Sequence, residues 1–236
     1  PVTAKNPYSI DENLWGRSCE CGALEDPWAE PPADVFGWTK AVKDTPEKAQ
    51  YITIGFHRGK PVKLNNRRID GVTLVSKLNE IAGEYGIGRI DHIENRLVGI
   101  KSHEIYEAPA AEVLLKAHIA LETLTLTKDQ MRFKSKVSQE YSDLVYNGLW
   151  FSAHKANLDA YVKSTQTYVT GTVRLKLEKG SIQVVGRKSP YSLYAHGLAT
   201  YETGDQFDAS AAVGFIKLWG LPVRTQAQAQ FLKKGK

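Results

Sequence analysis

The chain has 236 residues, 42% of them hydrophobic and 24% charged, ordinary proportions for a soluble globular protein that buries one large core or two modest ones. No apolar run approaches the ~20 residues a membrane span needs, and no basic-then-apolar leader opens the chain, so a cytoplasmic location without membrane contact is expected. The net charge of +5 does not argue for a nucleic-acid partner, because Lys233, Lys234 and Lys236 crowd the last four residues and a solvated tail explains them better than a phosphate-tracking face.

The first informative stretch is YSIDENLWGRSCECGALE, Tyr8 to Glu25. Ser9 and Ser18 stand among Asp11, Glu12, Arg17 and Glu20, in a run too polar to be expected in a core and too patterned for a linker. Hydroxyls beside carboxylates suit an ammonium group and an uncharged polar head such as an amide or urea. Taken by themselves, the same serines are read first as helix or turn caps. Cys19 and Cys21 flank one residue, a spacing that strains a disulfide and supplies half a zinc site at most, so two reduced thiols and no metal site are expected. The proline-rich run from Pro27 to Pro46 reads as an irregular loop anchored by Trp28, Phe36 and Trp38.

From Tyr51 the pattern becomes strand, turn, strand, with Gly59 suited to a positive φ. Asp70-Gly71 then leads into a helix whose Leu74, Leu78, Ile81 and Tyr85 recur at helical spacing, its end loosened by Gly83 and Gly86. GIGRIDHIENRLVGIKSHEIYEAPA predicts two extended segments, with Arg89, Asp91, Glu94, Arg96, Lys101 and Glu104 alternating with aliphatics, the pattern of a half-buried sheet. Glu94 is read either as the partner of Arg89 or Arg96 in a strand-face ion network or as a ligand group, and Tyr106 as a sheet aromatic or a site residue.

Pro109 fits the first turn of a helix through Val113, Leu114, His118, Leu121 and Leu124. Thr127 and Gln130 predict a capping box for a second long helix, with Phe133, Val137, Tyr141, Leu144 and Val145 as its inward stripe and Gly148 after its end. A short helix over residues 157–166, a hairpin turning at Glu178-Lys179-Gly180, and a helix over residues 209–218 follow. The segment after Pro222 is helix-prone but almost without apolar residues, so it cannot hold itself by burying a face on its own subunit. The elements come in blocks, which predicts an α+β fold: an antiparallel or mixed sheet covered by long helices, with an extended C-terminal helical tail.

The six histidines, His57, His92, His103, His118, His154 and His196, show no metal-ligand spacing, and none is expected to be a ligand or general base. No GxxxxGK[ST], GxGxxG or HExxH motif and no nucleophile-elbow serine occurs. The residues alone therefore lead to an α+β domain with a polar pocket suited to a zwitterion.

Three stretches in the same order, YSIDENLWGRSCECGALEDPW, GIGRIDHIENRLVGIKSHEIYEAPAA and LVYNGLWFS, resemble the argininosuccinate synthase family, ligases that condense citrulline and aspartate with ATP to give argininosuccinate, AMP and pyrophosphate in arginine biosynthesis. The resemblance, from about Asn6 to Phe215, covers the second half of such an enzyme. It implies a synthetase and multimerisation domain over residues 1–221 and a tail helix over residues 222–236 that contacts a neighbouring subunit of a homotetramer. It also implies that ATP with Mg2+, and aspartate, are held mainly by an N-terminal ATP-pyrophosphatase domain whose phosphate-gripping loop does not occur here, so no cofactor is expected in this chain alone. Position within the motifs assigns citrulline to Ser9, Ser18, Glu94 and Tyr106, with Asp11, Arg17, Asp91, Arg96 and Lys101 expected to shape the pocket and orient Glu94. His103 stands where the family more often has arginine, which puts a local salt link in doubt. The family's chemistry runs through citrullyl-AMP and needs positioning and charge stabilisation, with no covalent protein nucleophile. The competing expectation is a non-catalytic oligomerisation and binding module, inactive without the N-terminal domain.

Overall fold

The computed structural model describes residue 3, residues 7–199 and residues 208–232. The tail lysines Lys233, Lys234 and Lys236 lie outside the described residues. The chain divides into two units, residues 1–193 and 194–236.

The first unit holds two antiparallel sheets. Strands β1 (Ser9–Glu12), β2 (Arg17–Glu20), β6 (Arg89–Asn95) and β7 (Lys101–Glu107) form a four-stranded sheet in the order β1-β2-β7-β6. Strands β3 (Gln50–His57), β4 (Lys60–Leu64), β5 (Arg67–Arg68), β8 (Gly171–Glu178) and β9 (Ser181–Lys188) form a five-stranded sheet in the order β5-β4-β3-β8-β9. Helices α1 (Gly71–Glu84), α2 (Pro109–Thr125), α3 (Lys128–Tyr146) and α4 (Ala153–Thr165) complete the unit. The expected α+β architecture is the one observed, and both sheets are antiparallel throughout.

The main core forms where period two meets period 3.6. Ile52, Ile54 and Phe56 of β3 and Val173, Leu175 and Leu177 of β8 pack with Leu74 and Leu78 of α1 and Val113, Ala117 and Leu121 of α2. The helix starts follow local chemistry. The Asp70 carboxylate accepts from the Thr73 amide at 3.0 Å, Pro109 opens α2, and Thr127 with Gln130 forms the expected capping box on α3. Gly88, at φ 103°, lies so close to the start of α2 that a Cβ there would stand 2.5 Å from the Pro109 nitrogen. The Ala108 amide donates to the Gly88 carbonyl at 2.8 Å, so the start of β6 lies against the head of α2.

A second, smaller core supports the four-stranded sheet. It contains Cys19, Leu24, Val35 and Ile105, with Tyr8 and Phe36 packed against it. The Tyr8 to Glu25 run is thus not excluded from the interior, because strand alternation sends Cys19 inward while its neighbours face out. Burial raises the pKa of the Cys19 thiol, and both cysteines are free. The residues 27–46 loop differs from expectation at its start: Trp28 is 95% exposed and anchors nothing, while the small Val35 is fully buried. On α3 only Val137 and Leu144 of the expected stripe are buried, whereas Phe133 and Val145 are about half exposed.

The second unit contains α5 (His196–Ala199), α6 (Ala211–Trp219) and α7 (Leu221–Gln226), which continues as one wider turn over Ala227–Phe231. No residue of α6 or α7 is buried. Among the described residues no helix is long and apolar enough to cross a membrane.

Candidate functional site

In an antiparallel pair, directly opposed residues share a face, and alternate residues along a strand share it too. The register of the four-stranded sheet therefore fixes its two surfaces. Asp11 of β1, Ser18 of β2, Tyr106 of β7 and Ile90 of β6 form one cross-strand row. Ser9, Glu20, Glu104 and His92 form the next. Ser102 and Glu94 form a third. Ser9, Ser18, Glu94 and Tyr106, drawn from segments up to 97 positions apart in sequence, thus stand on one face, and the small core with Cys19 and Ile105 lies under the other.

That face is rich in carboxylates held by hydroxyls. The Tyr106 hydroxyl lies 2.8 Å from Glu104 Oε2 and 3.1 Å from Glu94 Oε2. One phenolic proton cannot serve both acceptors at once. The Tyr146 hydroxyl, at the end of α3, donates to Glu94 Oε1 at 3.0 Å. Arg96 donates through Nη2 to Glu20 Oε2 at 2.8 Å and to the Ser102 hydroxyl at 3.1 Å. Burial and then the Glu104 and Glu94 carboxylates push the Tyr106 phenol well above its ordinary value, and the hydrogen bond to Glu94 pushes Tyr146 the same way. Both phenols consequently stay protonated, as donors, at neutral pH.

The residues expected to orient Glu94 divide by strand parity. Asp11 is on the polar face and Arg96 reaches it from the turn after β6. Arg17, Asp91 and Lys101 occupy the alternate positions on the opposite face. Arg17 is buried and donates through Nη1 to Glu107 Oε2 at 3.0 Å and to the Val35 carbonyl at 2.6 Å. His103 joins Asp91 Oδ1 through Nε2 at 2.9 Å and the Leu24 carbonyl through Nδ1 at 2.6 Å. Glu20, Glu104, His92 and Ser102 are further polar side chains of this face that the motifs did not assign to the site, and Tyr146 reaches it from α3. The spacing of two between Ser18 and Glu20 and between Glu104 and Tyr106 is the signal that marks the first two; nothing local marks Tyr146.

A hollow of about 260 Å3 opens at the edge of this sheet, where Glu20, Arg96 and Ser102 meet Cys21, Ile93, Lys101 and His103; Ser9, Ser18, Glu94 and Tyr106 do not line it. Among the described residues no group of three or more His, Cys, Asp or Glu side chains could hold a metal ion. The carboxylates form a chain: Glu20 meets Arg96, Ser102 stands 3.4 Å from both Glu20 and Glu104, and Tyr106 joins Glu104 to Glu94, a run of negative charge that suits an organic cation such as an ammonium group.

The sequence matches the family described as Arginosuccinate synthase C-terminal domain over residues 8–226. The chain belongs to this family. It is 61% identical over 230 residues to the argininosuccinate synthase of Dehalococcoides mccartyi, a match covering 98% of this chain and 57% of that protein. It is 56% identical to the argininosuccinate synthase of Symbiobacterium thermophilum, and 58% identical to that of Trichodesmium erythraeum, with 57% of each covered. The chain therefore spans little more than half the length of these curated relatives, and what it matches is their C-terminal part. All four polar-face residues expected to meet substrate fall inside the matched segment.

Proposed function

We propose that the polar face of the four-stranded sheet is the citrulline-binding surface of an argininosuccinate synthase, a ligase of arginine biosynthesis. The observation that carries this reading is the strand register, which sets Ser9, Ser18, Glu94 and Tyr106 on one face. Glu94 takes the α-ammonium of citrulline, since its carboxylate is already aimed by Tyr106 and Tyr146. Glu104 adds negative potential beside it. The Ser9 and Ser18 hydroxyls meet the polar ends of the substrate, and Tyr106 supplies a rigid phenol. An ammonium entering this cluster also brings the donors that the single Tyr106 proton cannot provide to two carboxylates.

The chemistry in this reading is attack of the citrulline ureido oxygen on the α-phosphorus of ATP, giving citrullyl-AMP and pyrophosphate, followed by displacement of AMP by the aspartate amine. Residues of this face hold and orient the nucleophile in both steps, which requires no covalent protein intermediate. ATP with its Mg2+, and aspartate, are assigned mainly to the part of the relatives that this chain does not match. The protein is assigned to the cytoplasm, as a homotetramer in which residues 222–236 reach a neighbouring subunit. Supporting assembly, α6 presents Phe215, Ile216, Leu218 and Trp219 at 60% to 76% exposure, an apolar stripe that a soluble helix ordinarily covers.

Titration calorimetry with citrulline tests the site. Glu94→Ala is expected to weaken binding by about 2 to 4 kcal/mol, because the ammonium loses its aimed counter-charge. Unchanged affinity in that variant removes Glu94 from the site. Conversion of ATP to AMP is expected only when the N-terminal part of a relative is supplied in addition, and turnover by this chain alone contradicts the division of labour.

A further inference from the structure

A cavity of about 900 Å3 lies over the tip of the β3–β4 hairpin, between α2, α3 and α4, and no residue of the four-stranded sheet lines it. His57, Arg58 and Lys60 enter it from the hairpin, His118 from α2, Lys134 from α3 and Lys163 from α4. Asp159 is the acidic residue of the lining, and its carboxylate is already occupied by the Tyr141 hydroxyl at 2.7 Å and the Lys155 ammonium at 2.9 Å. Lys134 pairs with the buried Glu122 at 3.3 Å. Arg58, Lys60 and Lys163 make no ion pair among the described residues.

The hairpin tip that carries Arg58 and Lys60 is held in place. Arg58 and Gly59 have φ of 50° and 78°, the successive left-handed residues of a tight hairpin turn. The turn is fastened by the Arg58 amide to the Thr170 hydroxyl at 2.9 Å and the Gly59 amide to the Val169 carbonyl at 2.8 Å. A Cβ on Gly59 would stand 2.5 Å from Gln166 Oε1. Gln166 is itself fixed, donating to Glu122 at 2.8 Å and accepting from His118 Nε2 at 2.9 Å. A buried polar floor thus presses the hairpin tip, and its positive charge, against the rim of the cavity. Like charges gathered this way repel unless an anion sits among them, and the volume falls in the range of small-molecule sites.

We propose that this cavity binds a small polyanion, phosphoryl or polycarboxylate, held by Arg58, Lys60 and Lys163, with Tyr141 and Val162 as the wall for its organic part. The site is separate from the citrulline face and stands whether or not that reading holds.

The test is thermal shift and titration calorimetry of the chain with inorganic pyrophosphate and with citrate, against sodium chloride at matched ionic strength. Saturable binding and a rise in Tm beyond the salt control are expected for at least one probe. A response to pyrophosphate alone marks the ligand as phosphoryl, and a response to citrate alone marks it as polycarboxylate. Lys163→Glu, and Arg58→Asn, whose new residue tolerates the left-handed backbone, are each expected to weaken binding about tenfold or more. Lys43→Ala, outside the lining, is expected to leave it unchanged. No response to either probe beyond the salt control, or equal affinity in both cavity variants, overturns the proposal.

Discussion

Glu107 is fully buried at the end of β7, and its carboxylate gathers the loop that precedes β3. It accepts from Arg17 Nη1, from the backbone amides of Gly37, Trp38 and Thr39, and from the Thr39 hydroxyl, all between 2.6 and 3.0 Å. A charge with no solvent contact survives only because its lone pairs are filled by donors and a guanidinium stands beside it. Glu107→Gln turns an acceptor oxygen into a donor facing other donors and leaves Arg17 buried without its counter-charge. A loss of about 3 to 5 kcal/mol in urea-unfolding stability is expected. A loss below ~1 kcal/mol would mean that apolar packing holds the loop instead. Through Glu107 the loop is tied to the same strand whose preceding residue, Tyr106, turns the other way toward the carboxylate face, so loop anchoring and site geometry share one strand.

At the level of elements, strand parity decides which charges can cooperate. Ser18 and Arg17 are adjacent in sequence yet face opposite media, one polar and partly open, the other buried. Helix caps act more locally. The folded-state pKa of Asp70 lies below its ordinary value because the side chain and amide of Thr73 hydrogen-bond the carboxylate. A carboxylate depressed on folding stabilises the protein above the unfolded pKa of about 3.9, and that contribution disappears as pH falls through the lower folded value. Asp70→Asn keeps a capping acceptor but does not titrate. The variant is expected to show a smaller fall in Tm than the parent between about pH 6 and pH 3, measured by circular dichroism; parallel curves would show that the cap carries no linkage.

For the whole molecule, the apolar exposure of the second unit is the feature a single chain leaves unanswered. Val213, Phe215, Ile216, Leu218 and Trp219 are each more than half exposed on α6, and the Phe215 and Trp219 rings stack at 5.5 Å. In the proposed homotetramer, Phe215→Glu is expected to lower the sedimentation-derived mass toward that of a monomer, with the helical signal of the first unit retained; an unchanged mass would remove this stripe from the proposed interface. The sequence was sufficient for features set within a few residues: the α+β class, the strand alternation of β3 and β8, the Thr127–Gln130 capping box, and the Gly59 and Gly180 turns, because propensity, period and cap chemistry act over one or two turns of chain. The motif resemblance also named the polar-face residues without showing how they meet. It could not show that β2 pairs with β7, that Glu107 holds the loop before β3, or that Tyr146 reaches Glu94 across 52 positions. Those follow from which strands pair and which side chains fill the space between them, and long-range pairing is chosen by burial summed over the whole core, which no local window contains.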